Sequence, residues 1–282
     1  MNSWRKNKRL TCSDGSVWAK GGSAIFFQEV CRLIFPPRCP VCDRILGVKE
    51  IRKASLIHGN CKTLLIPVVQ PFCFHCGRPV AGLGTEYCYD CKRRLEKTKS
   101  PYWRRNNPAS WFVQGRALYV YQGPVRRTMY RLKYSNRREY AEFFAKEAAA
   151  RYGKWIRRAG VETIVPIPVY WKKQKKRGYN QAGLLAEQIA ELLGLAYEPE
   201  ALIRVRNTKP QKELGEKERK NNLKSAFQAA DFVVKYNCIL LIDDIYTTGA
   251  TVESAARTLR ESGVKEVYVL TACIGMGAMQ EV

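Results

Sequence analysis

The run from Cys238 to Thr251, C-I-L-L-I-D-D-I-Y-T-T-G-A-T, constrains this chain more than any other stretch. Ile239 to Ile242 form an apolar run of the kind a strand buried on both faces needs. Asp243 and Asp244 follow, placed by this reading at a strand end facing solvent. Thr247, Thr248, Gly249, Ala250 and Thr251 then make a loop of small residues. Val252, Ala255, Ala256 and Leu259 recur at helical spacing, with Gly263 placed to cap the helix end. A loop of small residues at a helix start offers backbone N–H groups and the positive end of the helix dipole, which suit a phosphate. Gly249 has no Cβ to obstruct close approach of a ligand. The two carboxylates can accept from vicinal hydroxyls, and phosphate with diol describes a ribose 5-phosphate. An ordinary strand-to-helix turn with solvated acids would carry similar residues. The strand–loop–helix order is what favours the ligand reading.

Over the thirteen positions from Ile239 to Thr251 the run resembles the phosphoribosyl-pyrophosphate (PRPP) signature of type I phosphoribosyltransferases. The resemblance implies that Asp243 and Asp244 hold the ribose 2- and 3-hydroxyls at the catalytic centre. It implies that Thr247 to Thr251 wrap the 5-phosphate.

The 282 residues suit a main domain with an appendage, and 46% apolar content suffices for a core. No apolar run is long enough to span a membrane. The basic stretch Met1 to Leu10 is not followed by a signal-peptide core and cleavage site, so the expected location is the cytoplasm. The formal charge is +24, with 20 basic and 7 acidic residues up to Ser110 and 29 and 18 after it. Both parts therefore favour partners rich in phosphate: PRPP, and single-stranded DNA as a further candidate.

Seven of eleven cysteines lie between Cys39 and Cys91. With His58 they form four pairs at C-x-x-C spacing: Cys39 with Cys42, His58 with Cys61, Cys73 with Cys76, and Cys88 with Cys91. Such a turn lets two side chains grip one side of a tetrahedral zinc ion, and a second pair closes it. In a cytosolic chain this clustering points to metal rather than disulfides. Eight ligands suffice for two structural zinc ions. Joining the pairs in order gives a Cys₃His site and a Cys₄ site; joining first with third and second with fourth is compatible with the same spacing. His75, inside the third turn, is an alternative ligand.

The expected division is a poorly ordered tail over 1–22, a double zinc-ribbon domain over 23–100, a linker over 101–115 and an α/β domain over 116–282. A short helix is expected over Ser23 to Phe35. Tyr102, Trp103 and Trp111 among linker cations could stack on a single strand or pack the two domains together. Beyond the linker, strands are expected at Arg116 to Tyr121, Thr163 to Val169 and Glu266 to Cys273. Helices are expected over Val125 to Tyr134, over Glu139 to Ile156, and from Gln181. The last should bury Leu184, Leu185, Ile189, Leu192 and Leu193. The cationic run Lys172 to Arg177 follows a strand and is expected as a loop facing the ligand crevice, where Lys176 and Arg177 would stabilise a pyrophosphate leaving group. Lys133 is a weaker candidate for the same role. Gln211 to Asn222, polar and charged, is expected to act as a lid. The order predicts a mostly parallel sheet flanked by helices.

Further motifs resemble the ComF family: Phe35 to Cys39, the serial C-x-x-C pairs, Leu132-Lys133-Tyr134, Val165 to Pro168, Arg177 to Gln181, Gln211, Arg219 to Asn222 and Ala226-Phe227. The resemblance implies a competence-associated protein linked to DNA uptake in transformation. It implies a zinc ribbon fused to a type I phosphoribosyltransferase-like domain, and a helicase-like partner. His58 stands where the family pattern has a cysteine. Two functions are open at this point. One is an enzyme that transfers phosphoribosyl from PRPP, with Mg²⁺ on the diphosphate, to an acceptor no residue identifies. The other is a non-catalytic PRPP-responsive factor that binds single-stranded DNA.

Overall fold

The computed structural model describes residues 36–82, 84–97, 110–205 and 226–277. The expected tail, the helix over 23–35, most of the linker and the Gln211 to Asn222 lid lie outside these residues.

Five parallel strands form the central sheet: β1 (Gln114–Val120), β2 (Thr163–Pro166), β3 (Ala196–Tyr197), β6 (Cys238–Tyr246) and β7 (Glu266–Ile274). Their order across the sheet is β1-β7-β6-β2-β3. A small antiparallel pair, β4 (Leu202–Arg204) and β5 (Phe227–Ala229), stands apart. The helices of the sheet domain are α4 (Gly123–Tyr134), α5 (Tyr140–Arg158), α6 (Trp171–Arg177), α7 (Gln181–Leu193) and α8 (Ala250–Glu261). A 3-10 turn spans Asp231–Lys235. The parallel-sheet α/β fold is the one expected.

Strand β6 is central because its side chains serve both faces. Leu240 and Ile242 join a core with Met129 and Leu132 of α4, Phe144 and Ile156 of α5, and Leu185 and Ile189 of α7. Ile239 and Leu241 point the other way, into a core with Val252, Ala255, Ala256 and Leu259 of α8. All four β6 residues are at most 1% exposed. Each such burial contributes about 1.5–3 kcal/mol relative to exposure, and the β-branched Ile239 and Ile242 also suit a strand.

Several element boundaries differ from expectation. Strand β2 ends at Pro166 rather than Val169, because a second proline at 168 cannot donate to a ladder. Leu192 is 48% exposed, and the inner face of α7 is instead completed by Ala182, Gly183, Ala186 and Ala190. Small residues let the helix lie close on the sheet. The Lys172 to Arg177 run is not a loop but the body of α6. Gly178, at φ 83°, ends that helix, and Asn180 caps α7 by accepting from the Ala182 N–H at 3.2 Å.

The N-terminal region contributes short helices α1 (Val48–Arg52) and α2 (Gly59–Lys62) and a longer α3 (Tyr89–Lys97). Both C-x-x-C turns that open a knuckle repeat one backbone design. The Asp43 N–H donates to the Cys39 carbonyl at 2.8 Å, and the Gly77 N–H to the Cys73 carbonyl at 2.9 Å. Both residues have positive φ, 64° and 76°. At position 77 only glycine fits, since a Cβ would lie 2.7 Å from the Gly115 carbonyl oxygen. Each knuckle shares a core with one face of the sheet: Cys39, Val41 and Leu46 with the α4–α5–α7 face, and Cys73, Cys76 and Val80 with the α8 face. Between the knuckles the chain covers the open edge of β1. There the Val68 N–H donates to the Leu118 carbonyl, and the Val120 N–H to the Ile66 carbonyl, both at 2.9 Å.

Candidate functional site

The four ligand pairs close in sequence order. Cys39, Cys42, His58 and Cys61 form one group, and Cys73, Cys76, Cys88 and Cys91 the other, with all donor atoms of a group within 4.8 Å of one another. In the second group Cys76 Sγ and Cys88 Sγ are 3.6 Å apart, and in the first Cys42 Sγ and His58 Nδ1 are 3.4 Å apart. A tetrahedral zinc with Zn–S near 2.3 Å needs sulfur pairs about 3.8 Å apart, so the donor sets fit the ion. Each is a closed set of four, which suits a structural role. His58 takes the place of a fourth cysteine in the first site. His75 is not one of the grouped donors: its ring lies 4.2 Å from that of Phe112, and its Nδ1 sits 3.4 Å from Cys91 Sγ. The second set is wholly buried; in the first only Cys39 is.

On the sheet, Asp243 and Asp244 end the apolar part of β6, and the Asp244 N–H donates to Asp243 Oδ1 at 2.8 Å. The expectation that both carboxylates face solvent fails. Lys133, on α4, places its Nζ 2.5 Å from Asp244 Oδ2 in a largely buried ion pair. Burial alone would lower the Lys133 ammonium, but the Asp244 carboxylate reverses that and the net shift is upward. Asp243 is half-buried at the end of the apolar run. Burial, then repulsion from Asp244, pushes its pKa well above the ordinary carboxylate range. Arg204 of β4 is drawn the other way, lowered by burial and partly restored by the Asp243 carboxylate.

Beyond β6, Thr247 and Thr248 are exposed, Gly249 is buried, and Ala250 and Thr251 open α8. Gly249 has φ 77°, and a Cβ there would fall 2.1 Å from the Tyr246 hydroxyl, so the turn excludes any side chain. The Ala250 N–H reaches Thr248 Oγ1 at 3.4 Å. Lys176 and Arg177 end α6. The Arg177 guanidinium lies 4.9 Å from the ring centre of Tyr134, the neighbour of Lys133, and donates to Gln181 Oε1 at 3.0 Å. Helix α4, through Lys133 and Tyr134, joins α6 to the acidic pair.

Residues 30–92 match the family model described as a double zinc ribbon domain. Competence protein F of Haemophilus influenzae is 32% identical over 240 residues, 81% of this chain and 94% of its own. The chain belongs to the ComF family. Two other members are the DNA utilization protein YhgH of Salmonella typhimurium and competence protein ComFC of Bacillus subtilis. YhgH is 31% identical over 86% of this chain and 98% of its own. ComFC is 30% identical over 72% and 78%. Among solved structures, a glutamine PRPP amidotransferase from B. subtilis aligns with 49% of this chain and 26% of its own, at 22% identity and a TM-score of 0.32. That overlap says nothing of activity. The double zinc ribbon of this ComF protein thus has two four-donor sets for two structural zinc ions.

Four basic residues of the ComF chain that meet the site were missed or underrated in sequence, among them Arg78, which donates to the Thr247 carbonyl at 2.7 Å. Lys133 is a direct partner of Asp244, and Arg204 was not singled out at all. Arg94 of α3 donates to the Thr248 carbonyl at 2.6 Å. None lies near β6 in sequence, and no spacing rule links them to it.

The electrostatics of Asp243 give a test without ligand. Its folded pKa lies above its unfolded one, so the associated stability is present below the unfolded value and lost as pH rises through the folded value. Asp243→Asn keeps the shape and removes that loss. It is expected to raise the melting temperature by on the order of a few degrees at pH 8 and by less at pH 5, read by thermal unfolding at both pH values.

Proposed function

We propose that this chain binds PRPP and transfers its phosphoribosyl group with release of pyrophosphate, in the handling of DNA taken up during natural transformation. What supports the reading most is the acidic pair at the carboxyl end of a central parallel strand, followed at once by a tight small-residue loop at a helix start. Asp243 and Asp244 accept from the ribose hydroxyls. Thr247, Thr248, Gly249, Ala250 and Thr251 hold the 5-phosphate through N–H and hydroxyl groups. Lys176 and Arg177 serve the diphosphate side, and Lys133 orients Asp244 through their ion pair. The carboxylate oxygens suit a hard cation, so Mg²⁺ bound with the diphosphate would find oxygen ligands here and would offset its charge. The DNA role is carried by relatives named for competence and DNA utilization. A cytoplasmic location and a helicase-like partner belong to the same reading. Among the described residues no helix is long and apolar enough to cross a membrane.

A second reading, a non-catalytic PRPP-responsive factor on single-stranded DNA, is favoured by one surface. Tyr130, Tyr134 and Trp171 are 61%, 62% and 56% exposed and sit among cations, with Lys172 5.4 Å from the Trp171 ring centre. Exposed rings among basic residues suit stacked bases. Titration with PRPP and Mg²⁺, followed by an assay of pyrophosphate release with and without single-stranded DNA, separates the two. Binding with release supports the enzyme. Binding that alters DNA affinity without release supports the factor, and no PRPP binding refutes both.

A further inference from the structure

Two arginines of the zinc ribbon reach the carbonyls of the phosphate loop from behind. Arg78 follows the Cys73–Cys76 turn and is 3% exposed. It donates to the Thr247 carbonyl at 2.7 Å, pairs with Asp90, and lies 3.9 Å from the Cys88 sulfur. Arg94 donates to the next carbonyl, that of Thr248, at 2.6 Å. Its other arm holds Glu253 Oε1 at 2.8 Å, and Glu253 in turn accepts from the Trp111 N–H and the Ser110 hydroxyl, each at 2.9 Å. Both guanidiniums are therefore fixed on their far side.

A trans peptide is planar, and its C=O and the following N–H point in opposite directions. Holding the Thr247 carbonyl to the rear turns the Thr248 N–H to the front. Holding the Thr248 carbonyl does the same for the Gly249 N–H. Among the described residues neither N–H has an acceptor. A fixed positive charge behind each peptide aligns its dipole with the positive end forward, and oriented amides of this kind suit an anion. We propose that Arg78 and Arg94 are positioning residues of the phosphate loop, so that the second zinc knuckle forms the rear wall of the anion site. This rests on the reading of the loop as a ribose 5-phosphate site. If the arginines served only to fasten the knuckle, nothing would require them to take two successive carbonyls of that loop.

The test uses the zinc-loaded full chain and its Arg94→Met and Arg78→Met variants, with ribose 5-phosphate and inorganic pyrophosphate as calorimetric probes. Arg94→Met is expected to weaken ribose 5-phosphate by about tenfold or more, as for a lost charge-assisted hydrogen bond, while pyrophosphate affinity and zinc content hold. Unchanged ribose 5-phosphate affinity with zinc retained overturns the proposal, and so does an equal loss for both probes, which would mark a general effect on folding. Should Arg78→Met shed zinc, Arg94→Met decides, since its side chain is 32% exposed and its removal is better tolerated. An unmodified chain that binds neither ribose 5-phosphate nor PRPP overturns the site reading itself. An unmodified chain that binds, beside variants that bind equally well, overturns the arginine roles alone.

Discussion

Cys73→Ser is expected to remove one of two zinc ions per chain and to destabilise far more than one knuckle. Cys73 is 0% exposed, and all four donors of its set are buried. Loss of one thiolate opens a closed tetrahedral site, and structural zinc in isolated peptides contributes an apparent 10–16 kcal/mol or so. A domain's whole stability is only about 5–15 kcal/mol. The damage spreads because the second knuckle shares a core with Phe112, Val120, Val252 and Ile274 of the sheet domain. A fall in melting temperature of roughly 10 °C or more is expected, with zinc falling from two to one by elemental analysis. Cys42→Ser provides the contrast. In its set Cys42, His58 and Cys61 are only half-buried, so the same loss of metal should cost less. Two zinc ions and an unchanged melting temperature for Cys73→Ser would refute the account.

The parts of this molecule that were legible in sequence are local. A C-x-x-C turn sets two donors within a few residues, and in-order closure follows when each knuckle folds on its own turn. Ile239 to Ile242 announce a strand covered on both faces, whereas Gly249 reads in sequence as room for a ligand and only the fold shows that the Tyr246 hydroxyl excludes a side chain there. What sequence did not show depends on contacts between distant segments. Arg78 reads as part of a knuckle turn, yet its partner Thr247 is 169 residues away. Lys133 belongs to an ordinary amphipathic helix, and only the placement of α4 against β6 brings it to Asp244. The cationic run after β2 has the charge of a solvated loop but the composition of a helix. Lys, Gln and Arg are good helix formers, and Gly178 was available to end the turn. Strands of two or three residues, such as β3, β4 and β5, carry too few side chains for a period to be read.

The acidic pair gives the decisive test of ligand binding, and the structure dictates how to make it. Alanine at both positions would leave the Lys133 ammonium buried without a counter-charge, a loss of stability unrelated to PRPP. Asparagine keeps shape and an acceptor oxygen for Lys133, and at position 243 it relieves a carboxylate that burial and its neighbour disfavour. The Asp243→Asn, Asp244→Asn double variant also removes the counter-charge of Lys133, so it should lose some stability but less than the alanine pair, and thermal unfolding establishes that it is folded before binding is read. Its PRPP affinity is a separate matter. A hydrogen bond from a ribose hydroxyl to an ionised carboxylate contributes about 1.5–3 kcal/mol and one to a neutral acceptor less, and the charge on Asp243 is disfavoured, so the double variant should weaken PRPP by about tenfold or more. Ribose 5-phosphate should compete with PRPP and lose affinity in parallel, because it carries the same diol and 5-phosphate. Inorganic pyrophosphate should be almost unaffected if, as proposed, it binds at the cations of α6. Calorimetry on the folded double variant separates the cases. Equal loss for pyrophosphate would point to a general change in charge. Unchanged PRPP affinity would mean that these carboxylates take no part in holding the sugar.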